Sequence, residues 1–151
     1  MQLPQVTPVT EVQTANEIER AFCTALRVRD GDRWAETTFA EVGTAAVEIA
    51  AGLIALGVQP GDRVAIIGDT RPEWTLADCG ALCASAVVVP VYQTSSPEEC
   101  RYVLENSDAK VVIVEDDEQL EKINQIRSQV PQLDHLIRMT GDDLIHGVLE
   151  S

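Results

Sequence analysis

Three polar stretches in this sequence follow apolar runs and could do chemistry. Gly68-Asp69-Thr70-Arg71 could cradle a phosphate, because backbone N–H groups at a helix start attract anions and Arg71 could assist. Neither G-x-G-x-x-G nor G-x-x-x-x-G-K-[ST] is present, and Thr70 acting as a helix cap accounts for the stretch without a ligand. Tyr92-Gln93-Thr94-Ser95-Ser96 is polar and flexible enough for a binding loop, yet no G-x-S-x-G elbow surrounds Ser95, and a cap with solvated neighbours explains it. Glu115-Asp116-Asp117-Glu118 invites a divalent cation. Acids in the first turn of a helix are stabilised by its dipole without any ion. Trp34 and Trp74 could line a pocket but also suit packing.

The cysteines add no site. Cys23, Cys79, Cys83 and Cys100 form no C-x-x-C pair. Cys79 and Cys83 stand four apart in an apolar run, where zinc would need further ligands, and His135 and His146 are the only histidines. Core cysteines in a reducing compartment are expected. No catalytic, cofactor-binding or metal-binding residue is assigned.

The elements that carry these stretches follow from pattern. Residues 1–13 read as a flexible tail. Thr24 to Arg29, Asp30-Gly31-Asp32 and Trp34 to Thr37 predict a β-hairpin. Thr38-Phe39-Ala40-Glu41 is a capping box, and Phe39, Val42, Ala46, Ile49, Leu53 and Leu56 form one apolar stripe behind it. Gly57 and Pro60 end that helix. Arg63 to Ile67, Ala86 to Val91 and Lys110 to Val114 are apolar β runs, and Leu136-Ile137 is a candidate fourth. Thr70-Arg71-Pro72-Glu73 and Ser96-Pro97-Glu98-Glu99 are further capping boxes. The helix over about 72–84 is apolar almost all round and predicts a buried element. Helices are also predicted to about Asn106 and from about Asp116 to Gln129, the latter stopped by Pro131. Strands apolar throughout and alternating with helices predict an α/β fold: a parallel sheet with helices on both faces, preceded by the hairpin.

The totals restrict the function classes. The 151 residues suit one domain, with 45% apolar and 24% charged residues and only 4% aromatics. A formal net charge of -14 repels phosphate backbones and anionic membrane surfaces, so no nucleic acid partner is expected. No secretory signal and no transmembrane segment is seen, which predicts a cytoplasmic protein.

The stretch from Thr38 to Val91 resembles the opening of adenylate-forming, AMP-binding enzymes, the acyl-CoA synthetases and their relatives. The resemblance is carried by Thr38-Phe39-Ala40-Glu41-Val42, by Leu53-Ile54-Ala55-Leu56-Gly57-Val58-Gln59-Pro60-Gly61-Asp62-Arg63-Val64-Ala65, and by Pro72-Glu73-Trp74. It continues through Gly80 to Tyr92 and Asn106 to Val114 and covers roughly residues 25–138. The Trp34 strand and Tyr92-Gln93-Thr94-Ser95-Ser96-Pro97-Glu98-Glu99 resemble the long-chain branch.

The resemblance implies a two-step reaction: a fatty acid attacks the α-phosphorus of ATP with Mg²⁺ present, and the CoA thiol then displaces AMP from the acyl-adenylate. It also implies the N-terminal part of the large domain of such a fold. The family's Ser/Thr/Gly-rich phosphate loop, adenine segment, ribose-binding Asp and catalytic Lys have no counterpart here. The expectation is therefore a fragment: tail 1–13, a partial N-terminal subdomain over 14–139, and a truncated end over 140–151. ATP, Mg²⁺ and CoA would act through parts outside it, and the isolated fragment would self-associate. In full-length form the protein could also lie peripheral to a membrane. Two other readings stay open: a stand-alone non-enzymatic interaction module, and a small nucleotide- or flavin-binding domain.

Overall fold

The computed structural model describes residue 20 and residues 23–139. The expected tail, the expected truncated end and His146 lie outside the described residues. The chain divides into two compact units, Met1–Val42 and Gly43–Ser151.

In the first unit, β1 (Thr24–Asp30) and β2 (Arg33–Thr38) pair antiparallel, with Asp30 opposite Arg33. The loop is therefore the two residues Gly31-Asp32. Gly31 takes the positive φ of +59°, as the Asp-Gly pair indicates. A glycine at the first central position is what one of the favoured hairpin turns requires.

Helix α1 (Phe39–Ala55) begins at the expected capping box. The Thr38 N–H donates to Glu41 Oε2 at 2.7 Å, and the Glu41 N–H donates to Thr38 Oγ1 at 3.3 Å. The helix ends in a Schellman motif: Gly57 N–H donates to Ile54 O, Val58 N–H donates to Leu53 O, and Gly57 sits at φ +95°. Of the predicted stripe, Ala46, Ile49 and Leu53 are buried, Val42 and Leu56 half-buried. Phe39 is instead 57% exposed, because it occupies the first turn of the helix, ahead of the part that packs.

The second unit is built on β3 (Arg63–Ile67), β4 (Val87–Val91), β5 (Ala109–Val114) and β6 (His135–Arg138), all parallel in the order β4-β3-β5-β6. Between them run α2 (Pro72–Cys83), α3 (Pro97–Ser107) and α4 (Asp117–Ile126), with a 3₁₀ turn over Arg127–Gln129. The helix predicted to reach Gln129 thus tightens in its last turn.

The chain steps from β3 outward to β4, then reverses across β3 to β5 and β6. Crossovers are right-handed, so reversing direction moves the connecting helix to the opposite face. Accordingly α3 and α4 share one core with Ala65, Ile67, Val112 and Val114. Helix α2 packs with α1, where Gly80 faces Ile49. Val64, Ile66, Val111 and Ile113 are fully or almost fully buried, like the alternate set, as a sheet covered on both sides demands. Each such aliphatic side chain contributes about 1.5–3 kcal/mol on leaving water.

Two predictions about α2 are corrected. Its N-cap is Arg71, which makes no side-chain capping bond, so Thr70 is not the cap. The helix begins one residue later than the Thr70 box places it, and a guanidinium, having only donors, cannot accept the N–H groups at its start. Nor is α2 buried all round: Leu82 is 57% exposed and Cys83 is exposed, because among the described residues nothing covers its outer side.

Candidate functional site

The reversal of the chain leaves a crevice at the carboxyl ends of β3 and β5, the place where open α/β sheets hold ligands. Here it is closed by a side chain of the protein itself. Glu115, the residue after β5, receives the Asp69 N–H on Oε2 at 2.7 Å and Arg71 Nη1 on Oε1 at 2.9 Å. Gly68 permits this approach, since a Cβ there would stand 2.9 Å from Glu115 Cβ. On its other side Arg71 Nε lies 3.3 Å from Glu73 Oε2, an ion pair without hydrogen-bond geometry. The hydrogen bond that Arg71 donates to Glu115 and then the charge of Glu73 raise the Arg71 pKa.

What remains between Asp69, Arg71, Glu73, Glu115 and Met139 is about 20 Å³, room for one water. At the phosphate candidate, the Asp69 N–H and the Arg71 guanidinium do converge on an anion, and the anion is Glu115. The acidic stretch is split for the same reason. Glu115 points to β3, Asp116 caps α4 by accepting the Gln119 N–H at 2.9 Å, and Asp117 pairs with Arg138 at 2.5 Å. Among the described residues, no group of three His, Cys, Asp or Glu side chains could hold a metal ion.

Beside this plug lies an open cleft of about 200 Å³ lined by Gly68, Thr70, Trp74, Pro90, Val91 and Tyr92. Trp74 is half-buried and Tyr92 exposed. The structure therefore joins two sequence candidates, Trp74 and the Tyr92 loop, in one wall. Trp34 stands 62% exposed on the hairpin. In the Tyr92 loop, Ser96 caps α3 in a complete capping box, and Ser95 sits in a turn with its N–H on Tyr92 O. The loop is tied down from α4: Lys122 Nζ donates to Gln93 O at 2.5 Å and to Gln119 Oε1 at 2.8 Å. The sequence offered no signal for Lys122.

Of the cysteines, Cys100 alone is fully buried, Cys79 is half-buried, and Cys23 and Cys83 are exposed. The expectation of four core cysteines is corrected: Cys23 precedes the hairpin, and Cys83 lies on the open outer side of α2. Burial raises the thiols of Cys79 and Cys100 above their ordinary value, which makes both poor nucleophiles. His135 Nε2 lies 2.9 Å from Leu56 O and serves as a structural link between β6 and the end of α1.

Residues 11–147 match the family model described as AMP-binding enzyme. The chain belongs to the AMP-binding enzyme family. Its similarity to a long-chain-fatty-acid–CoA ligase of Mycobacterium bovis, FadD15, is 41% identity over 108 residues, covering 72% of this chain and 18% of that protein. The ligase ACSBG2 of Xenopus laevis is 35% identical over 133 residues, 87% of this chain and 18% of its own length. Among solved structures, the anthranilate CoA ligase AuaEII, determined with anthranoyl-AMP, superposes with a TM-score of 0.76 at 29% identity, over 89% of this chain and 26% of that one. A Mycobacterium tuberculosis fatty acyl CoA synthetase superposes with a TM-score of 0.67 at 27% identity, over 76% of this chain and 24% of that one. This member of the family thus resembles long-chain fatty acid–CoA ligases and spans about a fifth of the length of the curated relatives it matches. No helix among the described residues is long and apolar enough to cross a membrane.

Proposed function

We propose that this chain is scaffold from the large domain of a cytoplasmic long-chain fatty acid–CoA ligase, with residues 14–139 as part of its N-terminal subdomain. The enzyme activates a fatty acid as its adenylate from ATP with Mg²⁺ and then passes the acyl group to CoA. In this reading no catalytic, nucleotide-binding or metal-binding residue lies on these 151 residues, and the reactants are held by other parts of the enzyme. The supporting observation is the Glu115–Arg71 contact. It fills the crevice between the ends of β3 and β5, which supports reading the domain as a frame rather than as a nucleotide site. The same contact counts against a stand-alone nucleotide- or flavin-binding domain. Taken alone, the chain would self-associate through apolar surface.

The test is fatty-acid-dependent ATP–pyrophosphate exchange. The expected result is none with the 151-residue chain and clear exchange, favouring long acids, with the product of the complete open reading frame. Exchange by the short chain overturns the scaffold role. No exchange by the complete product overturns the ligase reading.

A further inference from the structure

The loop that walls the Trp74–Tyr92 cleft is gripped from outside by a cation. Between the end of β4 at Val91 and the α3 cap at Ser96, residues 92–95 form a turn in which the Ser95 N–H donates to Tyr92 O at 3.0 Å. Lys122 reaches this turn from α4 and donates to Gln93 O at 2.5 Å. Its ammonium is fixed by a second bond, to Gln119 Oε1 at 2.8 Å. Gln119 is 6% exposed and is the one buried polar or charged side chain among the described residues. A buried amide in an apolar layer is unfavourable unless bonded, and the bond that Gln119 Oε1 accepts comes from Lys122. Two neighbouring polar residues of α4 thus serve another element of the fold.

The same turn is pushed outward. Gln93 Oε1 is shut off from water and has no hydrogen-bond partner. An unpaired buried acceptor forfeits its water bonds and regains them when it is exposed, so this atom favours a lifted turn. Burial of Tyr92 adds no hold, since that residue is 84% exposed. A charge-assisted bond therefore pulls the turn down while an orphan acceptor favours its release. The Arg71–Glu115 contact at the other edge of the cleft differs, because the Asp69 N–H gives it a second point of attachment. Under the turn lies Cys100, fully buried, with its S–H donating to Ser95 O at 3.9 Å.

We propose that residues 92–95 are a poised strap latched by the Lys122 ammonium, and that release of the latch moves the Tyr92 wall of the cleft without unfolding the sheet. Lys122 is then a positioning residue, oriented by Gln119. The cleft has a fixed wall, Trp74 on α2, and a movable one, Tyr92. Below the strap, Val91, Leu104, Val114 and Ile123 pack in the apolar core of α3 and α4, which does not depend on the cation. The latch stands whether or not the chain is part of a ligase.

The experiment is iodoacetamide labelling of Cys100 in the complete reading-frame product, followed by peptide mapping. Amide hydrogen exchange of residues 111–114 in β5 is measured on the same samples. Lys122→Met keeps the stem and removes the cation, and Lys122→Arg keeps a cationic donor. The Met variant is expected to label Cys100 about tenfold faster than the parent, the Arg variant to stay within about threefold of it, and β5 exchange to be unchanged. Labelling of the Met variant at the parent's rate overturns the proposal. So does acceleration matched by faster β5 exchange, which makes Lys122 a general support of the core. An Arg variant as fast as the Met variant overturns it too. Gln93→Met leaves Lys122 untouched and removes the orphan acceptor. Its Cys100 should label about threefold more slowly than the parent's, and an equal or faster rate overturns the poised strap.

Discussion

Arg71 and Glu115, 44 residues apart in sequence, meet with Nη1 2.9 Å from Oε1 across the crevice where the chain reverses direction. The contact ties the loop after β3 to the loop after β5 and spends the positive end of α2 on an internal carboxylate. Because Arg71 is nearly half exposed while Glu115 is mostly buried, solvent screening trims the usual value of a charge-assisted bond. Glu115→Ala is expected to cost about 1–2 kcal/mol in a urea melt. It also vacates the Asp69 N–H and the guanidinium. Phosphate at tens of millimolar should then raise the Tm of the variant more than that of the parent; equal shifts would show that Glu115 does not plug an anion site.

Gly80 is fixed by packing and not by backbone freedom. A Cβ there would lie 2.3 Å from Ile49 Cγ2, far inside contact distance. Helix propensity favours alanine by about 1 kcal/mol, whereas forced overpacking costs typically about 1–3 kcal/mol. At this distance the clash wins, so Gly80→Ala should lower the urea midpoint by a net of about 1–2 kcal/mol. A gain in stability would mean that α1 and α2 are farther apart.

Ser85 closes α2 with φ +59°, a left-handed conformation that L side chains adopt at a cost. Its N–H donates to Leu82 O and the next N–H, from Ala86, donates to Ala81 O, the same Schellman pair that Gly57 makes for α1. Ser85→Gly is expected to raise stability by up to about 1 kcal/mol, visible as a rise of a few degrees in Tm.

Acid should weaken the caps. Glu41 and Glu99 are held below 4.5 by backbone N–H bonds from Thr38 and Ser96, and Glu98 by its bond to Arg101. Groups with lowered pKa contribute stability that is complete above the unfolded value and is lost as pH falls through the folded one. Urea midpoints should therefore fall progressively as pH drops below about 4.5. Glu41→Gln and Glu99→Gln should flatten that decline, because the amide still accepts the N–H and no longer titrates.

Local rules made much of this fold legible. The Thr38 and Ser96 capping boxes, the glycine closing α1, the apolar runs of β3 and β5 and even the four-residue β6 depend on residues a few positions apart, and all form as the sequence indicates. The ordered motifs also carried the family. The errors fall where a local rule meets a distant group. Thr70 looked like a cap, but Arg71 takes that position while its guanidinium serves Glu115. The hairpin turn, by contrast, falls within Asp30-Gly31-Asp32, with Gly31 at positive φ, because that need is a local one.

By itself the sequence determined which segments are strands, which are helices, and that the sheet must be covered on both faces, since period and capping are short-range properties. Only the tertiary structure decided that the crevice after β3 is filled from β5, that Lys122 anchors the Tyr92 loop, that Gly80 is a point of contact, and that α1 and α2 keep an open apolar face. These depend on strand order and crossover direction, which bring together residues dozens of positions apart and leave no periodic trace in the chain.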